Sequence, residues 1–210
     1  MSVLERIACQ QNRKDDVPNQ ELARDLATRQ DLAGIREIAN NLFNRDQNIQ
    51  SDCIKVLYEI GYLDPGLIEN YVGDFLKLLH SGNNRLNWGA MLALSTIASL
   101  KADEIFSNID LIFQTMQSGS VITIDNSVKV LAAVAAHCSD YNKSIFPYLL
   151  EHLKTCRPKE VAQHAESIMV AVRAHRENRS DYLDTLKDRE KSLTSAQLAR
   201  VKKLYKLLQD

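Results

Sequence analysis

Apolar residues recur at three- and four-residue spacing along almost all of this 210-residue chain, the mark of helices that each bury one face. A chain patterned this way folds by packing helix on helix. Seven glycines and four prolines are too few for the many turns of a β-sandwich or barrel. Apolar residues make up 45% and charged residues 25%, enough to build a core and to exclude disorder throughout. The length fits one large domain or two small ones.

Punctuation falls between the periodic segments. Asp64-Pro65 reads as an N-cap followed by proline at the first helical position. Ser81-Gly82 and Ser118-Gly119 read as helix ends where glycine takes the left-handed conformation. Arg157-Pro158 ends one helix and starts another. Thr194 and Gln197 have the spacing of a capping box. The expected helices are 2–13, 19–29, 31–44, 47–62, 65–80, 83–100, 103–117, 121–138, 144–156, 158–176, 180–191 and 194–208. The β-branched run Ser120–Asp125 has no partner strand and is read as a turn entering a helix.

Taken in pairs, these helices repeat. Val56/Leu57, Ala93/Leu94, Leu131/Ala132 and Val170/Ala171 occupy one place in successive units, at offsets of 37, 38 and 39 residues. The preceding helices align likewise: Ile38 with Phe75 and Ile112, and Leu42 with Leu79, Met116 and Cys156. Small residues at such places let helices approach closely. The period and this small-apolar pattern resemble those of the HEAT/armadillo helical repeats, across 31–176. The aspartate typical of the HEAT inner helix stands here as Asp52 in one unit and Asp125 in another.

The resemblance implies an all-α, right-handed α-α superhelix of about four helix pairs, whose second helices line a concave surface. It also implies protein–protein binding without chemistry. An open stack needs caps, so 1–30 and 177–210 are expected to close the two ends of a single solenoid domain. The stripe Leu198, Val201, Tyr205, Leu208 suits such a cap, with a homodimer seam as its second reading and a monomer as the first.

Charge excludes little by itself. The net is −1, but 1–80 carry nine basic and thirteen acidic groups, while 157–210 carry twelve and eight. The basic residues of the second segment alternate with acids, the pattern of a solvated face. Met1–Arg6 lack the apolar run of a signal peptide, and no segment reaches the roughly 20 apolar residues of a membrane span. With no Cys-x-x-Cys pair, Cys9, Cys53, Cys138 and Cys156 read as reduced thiols of a cytoplasmic protein.

No nucleotide, hydrolase or zinc-protease motif is present, so the chain is expected not to be an enzyme and to need no cofactor. His152 and Cys156, one turn apart, with His164 on the next helix, have ligand spacing. Because Cys156 sits at a core position of the repeat, the expectation is packing and no metal. The most informative surface is a polar ladder: Gln50, Asn87, Asp125 and His164 precede the inner-helix cores, with Asn84, Arg85 and Asn126 nearby. Trp88, the single tryptophan, stands beside it as an apolar anchor. Amides and charges in register suit an extended peptide backbone, so the expected partner is a protein or peptide. The alternative is a nucleic-acid-binding HEAT-like protein, related in architecture to the DNA-alkylation-repair glycosylases, with Trp88, Arg85 and Asp125 as its candidates.

Overall fold

The computed structural model describes residues 2–208. Among the described residues there are twelve α-helices and no strand. The first seven are α1 (Val17–Arg29), α2 (Leu32–Asn40), α3 (Gln47–Leu63), α4 (Val72–Leu78), α5 (Asn84–Ile97), α6 (Ala102–Phe106) and α7 (Ile109–Ser118). The rest are α8 (Val121–His137), α9 (Ser139–Thr155), α10 (Pro158–Ala174), α11 (Arg179–Arg189) and α12 (Ser195–Leu207). The chain divides into two compact units, Met1–Asn126 and Ser127–Asp210, so the division falls within α8. No helix is long and apolar enough to cross a membrane among the described residues.

In the first unit, α3 packs against α1, α2 and α5. Eight consecutive residues, Ser51–Tyr58, are therefore buried, and the helix shows no wide polar face. Close approach depends on small residues. A Cβ on Gly89 would lie 3.0 Å from Ile54, and one on Gly61 only 2.3 Å from Thr96 Oγ1. The predicted core positions Leu57 and Leu94 are fully buried, as are Ile38, Phe75 and Ile112.

The segment expected as helix 2–13 is instead a single 3-10 turn, Val3–Arg6, followed by irregular chain. Its backbone donors are taken by side chains from elsewhere. Ala8 N–H donates to Asn19 Oδ1 at 2.9 Å, and Cys9 N–H to Asp52 Oδ2 at 2.7 Å. Asn19 Nδ2 in turn donates to Asp52 Oδ1 at 2.9 Å. Asn12 then turns the chain in the left-handed region (φ 55°).

Two other expected helices are broken. Residues 65–80 form two 3-10 turns before α4, with Asp64 capping the first through Gly66 N–H. The expected helix 103–117 is split into α6 and α7. Ser107 Oγ and Asn108 Nδ2 donate to the carbonyls of Asp103 and Glu104, satisfying the end of α6 locally. Ser120 leads into α8 at Val121, as the expected turn entering a helix, and its Oγ accepts Thr123 N–H there. The glycine ends differ from expectation. Gly119 has φ −80°, and the left-handed non-glycine residues are Asn12 and Gln30. What Gly119 provides is space, since a Cβ there would stand 2.6 Å from Thr115 O.

In the second unit, α9 begins at Ser139, earlier than its pattern indicated, and carries Pro147 on its exposed side. Buried polar groups are paired. Asn142 Nδ2 donates to Asn178 Oδ1 at 3.1 Å and Asn178 Nδ2 returns to Asn142 Oδ1 at 2.8 Å. Tyr182 OH donates to Ala165 O at 2.8 Å. Arg189, at the end of α11, donates to the carbonyls of Leu153, Lys154 and Cys156 and so caps α9. α12 opens with the expected Thr194/Gln197 capping box and packs on α10, burying Val201, Leu204 and Leu208.

The repeat register slips in this unit. Leu131 and Ala132 are fully buried, and so is Ala171, but its expected companion Val170 is 47% exposed, and Val172 is buried in its place.

Candidate partner-binding surface

The first turn of α5 carries most of the sequence-derived site. Asn83 caps it, its Oδ1 accepting Arg85 N–H at 2.9 Å. That cap fixes the direction of the turn, leaving Asn84 and Arg85 exposed and Asn87 and Trp88 half-buried. Asn87 faces a cavity of about 210 Å³ that also involves His80, Asn84, Gln114, Thr115 and Thr123. Asn87 Oδ1 is the one buried side-chain nitrogen or oxygen without a hydrogen-bond partner among the described residues. A buried acceptor left this way costs about 1–3 kcal/mol.

Beside Asn87, the Trp88 ring packs on Tyr58 of α3, with centroids 6.1 Å apart and planes at 54°. Tyr58 also meets Tyr62 edge-on at 6.0 Å. Lys55 Nζ lies 4.8 Å from the Tyr58 centroid and bonds Glu59 at 2.6 Å. Partial burial works against the Lys55 charge, yet its hydrogen bonds to Glu59 and Tyr58 outweigh this and hold the ammonium above the ordinary lysine range. Burial likewise raises the Tyr58 phenol. Asp16 ties the cluster together, 3.5 Å from Lys55 and 3.6 Å from Arg85. The surface is thus an aromatic patch framed by charges of both signs.

The other ladder residues fare differently. Gln50 is half-buried and its Nε2 donates to Asn44 O at 2.6 Å, which is turn chemistry. Asp125 is half-buried in α8. Asn126 is 4% exposed and donates to Ile122 O at 2.8 Å, so it is interior. His164 requires the clearest correction. It lies in the second unit with no exposed surface, its Nδ1 2.9 Å from His152 Nε2. The residue of α10 nearest it that reaches the surface is Gln163, with Glu166 exposed a turn further on. A one-residue shift on a helix turns a side chain by about 100°, and the slip seen at Val170 carries His164 inward. Asp52, at the position of the HEAT-type aspartate, is 6% exposed and structural.

No family model and no curated protein matches the sequence. Solved structures do. A designed armadillo repeat protein in complex with the peptide (KR)4 aligns with a TM-score of 0.68 at 13% identity, over 97% of this chain and 98% of that one. The fold is that of the armadillo-type helical repeats. A computationally designed armadillo repeat protein for modular peptide recognition aligns at 0.67, with 11% identity and 97% of each chain covered. An engineered protein aligns at 0.61 with 20% identity, over 98% of this chain and 97% of that one.

Within this armadillo-type fold, sequence reasoning missed Tyr58, Lys55 and Asp16 as companions of Trp88, and His80, Gln114 and Thr115 as companions of Asn87. Lys55 and Glu59 at i, i+4 around Tyr58 were a visible sign of the first group. The second comes together only through packing of α4, α5 and α7.

Proposed function

We propose that the protein is a non-catalytic binding scaffold that engages an extended polypeptide along the second helices of its repeats. The reading takes 31–176 as the repeats and 1–30 and 177–210 as the caps. The observation that carries it is the open polar cavity lined by Asn84 and Asn87, next to the half-buried Trp88. The peptide main chain pairs with polar side chains lining that cavity, and an apolar side chain of the peptide covers the Trp88 edge. Asn84, Arg85 and Asp125 extend the contact, and Gln50 contributes after exchanging its turn hydrogen bond. Peptide binding by two of the structural neighbours supports the same reading.

The nucleic-acid alternative is weaker at this surface. Arg85 and Lys55 both lie against Asp16, which offsets the charge that a phosphate backbone requires.

The test is selection of peptides from a random library on the full chain, followed by titration against variants. Trp88→Ala is expected to weaken a selected peptide by about 2 kcal/mol, as a hot-spot aromatic does. Asn87→Ala weakens it by about 1 kcal/mol, the scale of one hydrogen bond. Equal affinity for wild type, Trp88→Ala, Asn87→Ala and Asp125→Ala rejects this surface.

A further inference from the structure

The turn from α9 to α10 brings together three side chains that the peptide-binding reading does not use. His152 stands in the last turn of α9, Cys156 is its C-cap residue, and His164 lies in the middle of α10. One potential ligand atom from each lies within 4.8 Å of the other two. His152 Nε2 and His164 Nδ1 are 2.9 Å apart. All three residues belong to one unit.

We propose that His152, Cys156 and His164 bind a zinc(II) ion, with water in the fourth position. Two imidazoles and a thiolate are the borderline-soft donor set that zinc selects. In a tetrahedral site with bonds of about 2.05 Å to nitrogen and 2.3 Å to sulfur, the nitrogens stand about 3.3 Å apart and each about 3.6 Å from the sulfur. The observed cluster reaches that geometry by opening the His pair about 0.4 Å and closing the sulfur distances, which lie within 4.8 Å, by at most about 1.2 Å.

The surroundings suit a held ion. Cys156 N–H donates to His152 O at 2.7 Å, so the two ligands share one tightened turn. Arg189 donates to Cys156 O at 2.7 Å and fixes that turn from α11. Arg157 engages Glu160 through its guanidinium, setting the start of α10 one turn before His164. His164 is fully buried and His152 half-exposed, which gives the ion a path in from one side.

The proton balance is simple. In the metal-free chain the Cys156 thiol points at Leu153 O, 3.6 Å away, and it ligates metal only as the thiolate. Binding breaks the His152–His164 hydrogen bond, and the proton between them moves to the outer nitrogen of its own ring. The Cys156 proton leaves to solvent, and one proton is released per ion. The ion then joins α9 to α10 in place of that hydrogen bond.

The experiment is titration of the reduced full chain with cobalt(II), which takes zinc sites and reports thiolate ligation by a charge-transfer absorption. One equivalent is expected to give that band together with tetrahedral visible absorption, and zinc is expected to displace it. Cys156→Ser removes the charge-transfer band, whereas Cys138→Ser retains it. His152→Gln, a half-exposed position where the fold tolerates change, weakens binding by more than the roughly 10–100-fold that loss of an outer-shell partner costs. Circular dichroism of each metal-free variant verifies the fold. Absence of the band in wild type overturns the proposal, as does a band that survives Cys156→Ser or an affinity unchanged in His152→Gln.

Discussion

Asp52 Oδ2 accepts the backbone N–H of Cys9 at 2.7 Å, across 43 residues of sequence. The other oxygen of the same carboxylate holds Asn19. One buried side chain on α3 thereby fixes both α1 and the irregular segment before it. Asp52→Ala strands the buried Asn19 amide and the part-buried Cys9 N–H, and a stranded buried donor costs about 1–3 kcal/mol. A fall in stability of about 3 kcal/mol is expected in denaturant unfolding. Asp52→Asn, which keeps one acceptor oxygen, should lose less.

Leu94 is fully buried where α5 meets its neighbours. Leu94→Ala is expected to cost about 2–5 kcal/mol, and Leu94→Asp more, because it buries a charge without a partner. Val170→Ala provides the contrast. Val170 shares the sequence pattern but is 47% exposed, so its loss should stay within about 0.5 kcal/mol in the same assay.

Two glycines separate space from flexibility. Gly73 lies within α4 with nothing near its absent Cβ, whereas a Cβ on Gly119 meets the backbone oxygen of Thr115 at 2.6 Å. Gly73→Ala should raise stability by about 0.5–1 kcal/mol through backbone entropy. Gly119→Ala should lower it by about 1–3 kcal/mol through overpacking. Thermal melts of the two variants should therefore move in opposite directions.

The Arg157 guanidinium hydrogen-bonds Glu160 and holds its carboxyl below the usual carboxylate range, against a smaller opposing effect of burial. A depressed acid contributes stability above its unfolded pKa, and that contribution fades as pH falls through the folded value. Glu160→Gln should therefore be less stable than wild type at pH 6 to 7. The difference should shrink as pH drops below about 4.3, the ordinary glutamate value, in denaturant unfolding followed across pH.

Periodic apolar spacing revealed the helices whose burial comes from their own pattern. Ile38, Phe75, Leu94 and Ala132 all lie where the repeat put them. It failed where long-range polar contacts decide the local backbone. Residues 2–13 look helical in isolation, but Asn19 and Asp52 take the N–H groups that a helix would use. The first turn of α5 was legible because Asn83 and the exposed residues after it form a local signal. His164 was misplaced because a drift of one residue in the repeat, invisible without contacts, moves a side chain from surface to interior. That same drift turned a pair of imidazoles toward each other, which spacing along the chain left only as one option among several.

The reciprocal hydrogen bonds between Asn142 and Asn178 carry a consequence for alignment along the chain. Leucine and isoleucine contacts change little in energy when one helix slides against another. A two-way amide exchange has no near-equivalent at a neighbouring position, and one residue of sliding strands four polar atoms in a dry interior. The pair therefore acts as a vernier between α9 and the start of α11: apolar burial brings the helices together, and the amides select the one alignment at which they stop.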